Sequence, residues 1–110
     1  MKVLIIGFGS IGKRHYDVLS QLSEVQNIDL VTKQNIENIV CYKNLEIVEN
    51  INQYDYFVIA SETNKHFEQL KFLEENVKNK LIFCEKPLFE SKQDLEIKNN
   101  RVFIGYVLRF

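Results

Sequence analysis

The first sixteen residues, MKVLIIGFGSIGKRHY, constrain the fold more than any other part of the chain. Lys2 is followed by an unbroken apolar run, Val3, Leu4, Ile5 and Ile6. Such a run marks a parallel strand covered on both faces, because a half-exposed strand would alternate. The run breaks into Gly7-Phe8-Gly9-Ser10-Ile11-Gly12, and from there Ile11, His15, Val18, Leu19 and Leu22 fall on one helical stripe. The order is strand, glycine turn, helix.

A G-x-G-x-x-G pattern set between a strand and a helix points to a dinucleotide. Gly7 suits the tight turn, Gly9 leaves no side chain between the backbone and a pyrophosphate, and Gly12 allows helix and strand to pack closely. The free N–H groups at the helix start, with the positive end of its dipole, then face an anion. Lys13 and Arg14 place two cations in the first turn, which oppose the dipole unless something negative lies nearby. The alternative is a plain strand-to-helix turn with a solvated basic pair.

At 110 residues the chain reads as one domain, residues 1–110, large enough for a core. With 14 basic and 15 acidic residues, the net charge of −1 argues against a nucleic-acid surface. No run approaches the roughly 18 apolar residues of a membrane span, and the N-terminus lacks the length and cleavage region of a signal peptide. A cytoplasmic location is expected. Cys41 and Cys84 lie in apolar, strand-like surroundings and read as reduced buried thiols, and no Cys or His spacing suits a metal site.

Residues 28–32 read as a second strand. A dinucleotide fold usually places a carboxylate at the end of that strand to bind the adenosine ribose. Here the chain offers Thr32-Lys33-Gln34-Asn35, and Asp29 lies too early in the strand. A cation among small polar residues fits a 2′-phosphate better than a free hydroxyl, so NADP is favoured over NAD. Residues 39–42 suggest a short third strand and residues 44–50 a short helical piece. Residues 54–60 form a fourth buried strand, followed by capping residues Ser61, Glu62, Thr63 and Asn64 and a helix with His66, Leu70, Leu73 and Val77 in line. His66 fits either a packing role on that line or a role at the site.

Residues 81–84 give a fifth strand that runs into Glu85-Lys86-Pro87. Charges at the mouth of a buried strand need partners. A lysine there is able to bind ribose or substrate hydroxyls, or to exchange a proton, and Pro87 fixes the turn that aims it. A surface salt bridge before a turn is the plainer reading. Residues 91–100 suggest a short helix and turn, and residues 101–110 a sixth strand whose uncovered apolar edge favours a homodimer or aggregation.

Four segments together resemble the Gfo/Idh/MocA oxidoreductases: Gly7-x-Gly9-x-x-Gly12 with His15 behind it; Ala60-Ser61-Glu62-Thr63-Asn64 with His66; Glu85-Lys86-Pro87; and Gly105-Tyr106-x-x-Arg109-Phe110. The resemblance implies an N-terminal Rossmann domain binding NAD(P), with hydride exchanged between the nicotinamide and a hydroxyl-bearing carbon of a sugar, inositol or related polyol. It implies that Lys86 lies near the nicotinamide ribose and the substrate, and that Arg109 leads into a second domain. That domain supplies the family's usual acid/base histidine, most of its substrate pocket and its main oligomer interface, and the chain is expected to lack it. Family members commonly carry proline where Glu62 stands, so a carboxylate there either repels a pyrophosphate or binds a ribose.

The expectation is a doubly wound parallel α/β Rossmann sheet of order 3-2-1-4-5-6. Gly7, Phe8, Gly9, Ser10, Ile11 and Gly12 are expected around the pyrophosphate, and Thr32 and Lys33 at the adenosine ribose. Ser61, Thr63, Asn64, Glu85 and Lys86 are expected toward the nicotinamide, with His66 also among the cofactor-binding candidates and Lys86 the one catalytic candidate. The redox chemistry would belong to the cofactor, and binding without appreciable turnover is expected of this chain alone. The competing class is a non-catalytic module that binds a nucleotide as a sensor or assembles through its sixth strand.

Overall fold

A computed structural model describes residues 1–86 and 95–105. The elements in order are β1 (Lys2–Ile6), α1 (Ser10–Ser20), β2 (Asn27–Val31), β3 (Cys41–Tyr42), β4 (Tyr56–Ile59), α2 (Thr63–Asn76), β5 (Leu81–Glu85) and β6 (Arg101–Gly105). They form one parallel sheet of order β3-β2-β1-β4-β5-β6, as the sequence predicts. Among the described residues no helix is long and apolar enough to cross a membrane.

The chain winds outward from β1 in both directions, so right-handed crossovers put the two helices on opposite faces. The side chains follow. Val3, Ile5, Leu30, Val58 and Phe83 pack beneath α1 with Leu19, while Leu4, Ile6, Phe57, Ile59 and Ile82 pack beneath α2 with Leu70 and Leu73. Val3 through Ile6 are fully buried, which explains why β1 is apolar at every position rather than at alternate ones.

Asp29 of β2 lies within the sheet and is buried, accepting hydrogen bonds from the Tyr54 hydroxyl at 2.5 Å and the Asn27 amide at 3.0 Å. Burial, then the neighbouring carboxylate, pushes the Tyr54 phenol well above its ordinary range. This carboxylate holds the fold rather than reaching the sheet's rim.

Three expectations are corrected. The third strand is only Cys41–Tyr42, with the Val40 carbonyl before it still accepting the Leu30 N–H at 3.0 Å. The expected helical piece at 44–50 is replaced by two separate 3-10 turns, Leu45–Ile47 and Ile51–Gln53. Asn44 caps the first through its side chain, Val48 is extended, and Asn50 takes a left-handed conformation (φ 48°), so no helix runs through. Residues 95–100 are not helical. Glu74 of α2 draws them out instead, accepting the backbone N–H groups of Lys98 and Asn99 and the side-chain amide of Asn100. Pro87, residues 91–94 and residues 106–110, including Arg109, lie outside the described residues.

Candidate functional site

The site is built on the glycine turn. Gly7 sits at φ +97°, and a β-carbon there would lie 2.8 Å from the backbone of Ser61. A β-carbon on Gly12 would lie 2.2 Å from the Gly7 carbonyl oxygen. Both glycines are therefore required by close backbone approach, which presses α1 onto β1 and the turn onto the end of β4. Gly9 differs. A β-carbon there would meet nothing within 4 Å, so its bareness serves no packing need inside the domain.

Gly9 is also the N-cap of α1 and gives that helix no side-chain cap. The first intrahelical bond runs from Lys13 N–H to the Gly9 carbonyl at 2.9 Å. The N–H groups of Ser10, Ile11 and Gly12 thus precede the helical ladder and point out of its positive end. Ile11, expected on the buried stripe, is 43% exposed because the helix begins at the rim, beyond the strands it packs on. The turn itself is held. Phe8 is buried edge-on against Tyr16 with ring centroids 5.9 Å apart, and its carbonyl accepts the Gln34 side-chain amide at 2.8 Å.

At the carboxyl ends of β1, β2, β3 and β4 lies a cleft of about 600 Å³. This is the edge of an open parallel sheet where strand order reverses and where ligands bind in such folds. Its lining includes Gly7, Phe8, Gly9, Thr32, Lys33 and Ser61 from the expected set. Lys43, Asn44, Lys65 and Gln69 also line it and were not anticipated. Glu46, Glu62 and Glu68 bring the opposite charge. Glu62 is the N-cap of α2, yet its carboxylate makes no cap bond.

Lys43 was legible in principle. Val31 pairs with Tyr42, and Thr32 N–H donates to the Tyr42 carbonyl at 2.8 Å, so the residue after β3 lies beside the residues after β2. Reading that signal needed the register of a strand too short to place from sequence. Gln34 gave none, since its role depends on reaching the Phe8 carbonyl 26 positions earlier.

The remaining expected residues are not in the lining of the cleft. Ser10, Ile11 and Gly12 form the first turn of α1, and Thr63 and Asn64 the first turn of α2. His66 is buried, with Nε2 2.9 Å from the Ser61 carbonyl oxygen, and the Ser61 hydroxyl bonds to Gln69. Together these fix the β4–α2 turn. Glu85 is buried at the end of β5 with Oε1 2.6 Å from His15 Nε2. Lys86 is exposed, and its backbone N–H donates to the Gly105 carbonyl at 3.0 Å. Burial, with the Glu85 charge behind it, pushes the Tyr56 phenol and the Cys84 thiol each up to about 12.

A dinucleotide fits these residues on structural grounds: an uncapped helix start, a bare glycine facing open space, and a cleft within the roughly 300–1,000 Å³ usual for small-molecule sites. Comparison with known proteins points the same way. The model of an oxidoreductase family with an NAD-binding Rossmann fold matches residues 1–100. Among solved structures, a Thermotoga maritima protein described as a dehydrogenase is similar, with 27% identity and a TM-score of 0.65 over 81% of this chain. A Klebsiella pneumoniae protein described as an oxidoreductase shares the fold, with 16% identity and a TM-score of 0.70 over 83% of this chain. The chain spans 28% and 29% of the lengths of the Klebsiella and Thermotoga proteins, respectively. No curated protein matches.

Proposed function

The chain belongs to the Gfo/Idh/MocA oxidoreductase family and carries its NAD-binding Rossmann domain, and from that premise we propose how the domain holds its cofactor and which cofactor it prefers. The diphosphate lies over Gly9, taken by the N–H groups of Ser10, Ile11 and Gly12. The adenosine ribose lies toward Thr32 and Lys33, and the nicotinamide half toward Ser61, Thr63, Asn64 and Lys86. The single observation that carries this reading is Gly9, bare above and bonded to no packing role, at an uncapped helix start that opens into the cleft.

NADP is the preferred dinucleotide. Lys33 and Lys43 both line the cleft where β2 and β3 end, and no carboxylate follows β2 directly to accept the ribose hydroxyls. Two ammonium groups on one side of a ribose favour a 2′-phosphate.

When bound, the nicotinamide supplies hydride transfer, and the substrate class we propose for the full oxidoreductase is a sugar, polyol or related hydroxyl or carbonyl compound. The residues here bind and orient; to Lys86, exposed just past the end of β5, we assign the holding of hydroxyl groups or the exchange of a proton at Nζ. Residues 1–110 by themselves bind cofactor without steady turnover.

Titration with NADPH, NADH and CoA, followed by nicotinamide fluorescence or heat, tests the reading. NADPH is expected to bind more tightly than NADH. Absence of dinucleotide binding would overturn it, and tighter binding of CoA would favour a non-catalytic nucleotide sensor. Association of two copies through β6 is a second proposal, supported by the position of that strand at the end of the sheet among the described residues and by the exposure of Phe103 and Ile104. A chain that sediments as a monomer at all concentrations removes it.

A further inference from the structure

The pair His15–Glu85 occupies a place that packing alone does not demand. Both side chains are sealed from water, at 2% and 6% exposure, with Nε2 and Oε1 2.6 Å apart. Two apolar side chains of similar volume would bridge the same elements without the desolvation cost of burying a carboxylate. The neighbours are already suited to them: the His15 ring tilts against Phe83 at 5.2 Å between centroids.

What distinguishes the pair is what it connects. His15 follows Gly12 by three residues on α1, whose first turn holds the unladdered N–H groups. Glu85 closes β5 and immediately precedes Lys86, whose backbone N–H is held by Gly105 and whose side chain is exposed. The sheet order puts β4 between β1 and β5, so the two flanks of the site are not hydrogen-bonded to each other through the backbone. Apolar contact sets how closely a helix lies on a sheet but resists sliding and rotation weakly. A hydrogen bond of defined length fixes both.

We propose that His15 and Glu85 are positioning residues, a buried tether that keeps the diphosphate-binding start of α1 in register with the Lys86 end of β5. The inference rests on the dinucleotide reading above and deepens it. Dinucleotide affinity then depends on the hydrogen bond between the two side chains and not merely on the space being filled.

The test uses the 110-residue chain, with thermal midpoint and NADPH dissociation constant measured for each variant. The wild type is titrated first, and a wild type that binds no dinucleotide overturns the underlying reading and this inference with it. In His15→Leu/Glu85→Leu the buried polar groups leave together, so the thermal midpoint is expected to stay near or above the wild type while NADPH binds about tenfold more weakly. A structural pair would show both stability and affinity retained, and that result overturns the proposal. Should the double variant not fold, the comparison moves to His15→Gln, which keeps a donor for Glu85, against His15→Met, which does not. His15→Gln is expected to bind NADPH within about threefold of wild type and His15→Met about tenfold more weakly; equal affinities in the two folded variants overturn the tether.

Discussion

Alanine at Gly12 and alanine at Gly9 should separate folding from binding, although the positions are three residues apart in one motif. At Gly12 the added carbon would lie 2.2 Å from the Gly7 carbonyl oxygen and 3.0 Å from its carbonyl carbon. Neither atom belongs to a movable side chain, so α1 must lift from the turn. Overpacking of this kind costs about 1–3 kcal/mol, and a backbone clash belongs at the upper end, about 3 kcal/mol. With an unfolding entropy of about 2.1 cal/mol/K per residue, a chain of this length loses about 13 °C in Tm for that cost.

At Gly9 the added carbon meets nothing within 4 Å, and φ −79° with ψ −161° is extended backbone open to alanine. The unfolded chain loses entropy, which favours the variant by about 0.4–1 kcal/mol. Alanine is a poorer N-cap than glycine, which opposes it by a similar amount. Tm is therefore expected within about 3 °C of wild type. Binding is another matter, because the methyl group stands between a diphosphate and its backbone donors. Loss of one charge-assisted hydrogen bond, about 1.5–3 kcal/mol, weakens NADPH roughly 10- to 150-fold. Thermal melts and fluorescence titrations of the two variants decide the matter. A Gly9→Ala chain that binds NADPH as wild type would refute the placement of the diphosphate, and a Gly12→Ala chain with unchanged Tm would refute the packing argument.

Lys33→Asp and Lys43→Asp should each weaken NADPH about tenfold while changing NADH less than about threefold, since only the former carries the 2′-phosphate; equal losses would remove the phosphate role. Burial alone raises the Glu74 carboxyl, but the bonds from Lys98, Asn99 and Asn100 outweigh it and hold the group below its ordinary range. Its stabilising effect is therefore complete above the unfolded-chain value, about 4.3, and fades as pH falls through the lower folded value. Glu74→Gln should be about 1–3 kcal/mol less stable at pH 7, and urea midpoints should show the gap narrowing toward pH 3; a constant gap would refute the assignment. Cys84 is fully buried with its thiol pushed up to about 12, chiefly by burial. An aromatic disulfide reagent at pH 8 should reach it only as the chain unfolds, and rapid modification of both cysteines would contradict that.

Continuous apolar runs such as Val3–Ile6 and the helical lines of His15–Leu19 and His66–Leu73 were enough to tell strands from helices, because burial on two faces and burial on one stripe leave different periodicities in sequence. The sheet order followed from the glycine turn between the first strand and helix and from the family resemblance, not from periodicity. The glycine turn was equally legible, since only glycine tolerates the backbone approaches at Gly7 and Gly12. Pairings across the fold were not. That Glu85 meets His15 seventy positions away, that Gln34 reaches Phe8, and that Lys43 joins Lys33 are consequences of strand register and side-chain reach. Likewise, residues 91–100 read as a short helix and turn, yet in the described part, residues 95–100, the Glu74 carboxylate takes the backbone donors of Lys98 and Asn99 and no helix forms. Local sequence fixes which elements form because propensity and patterning act over a few residues. The chemistry of the rim was decided by tertiary structure, because it depends on which distant groups the assembled sheet brings within hydrogen-bonding distance.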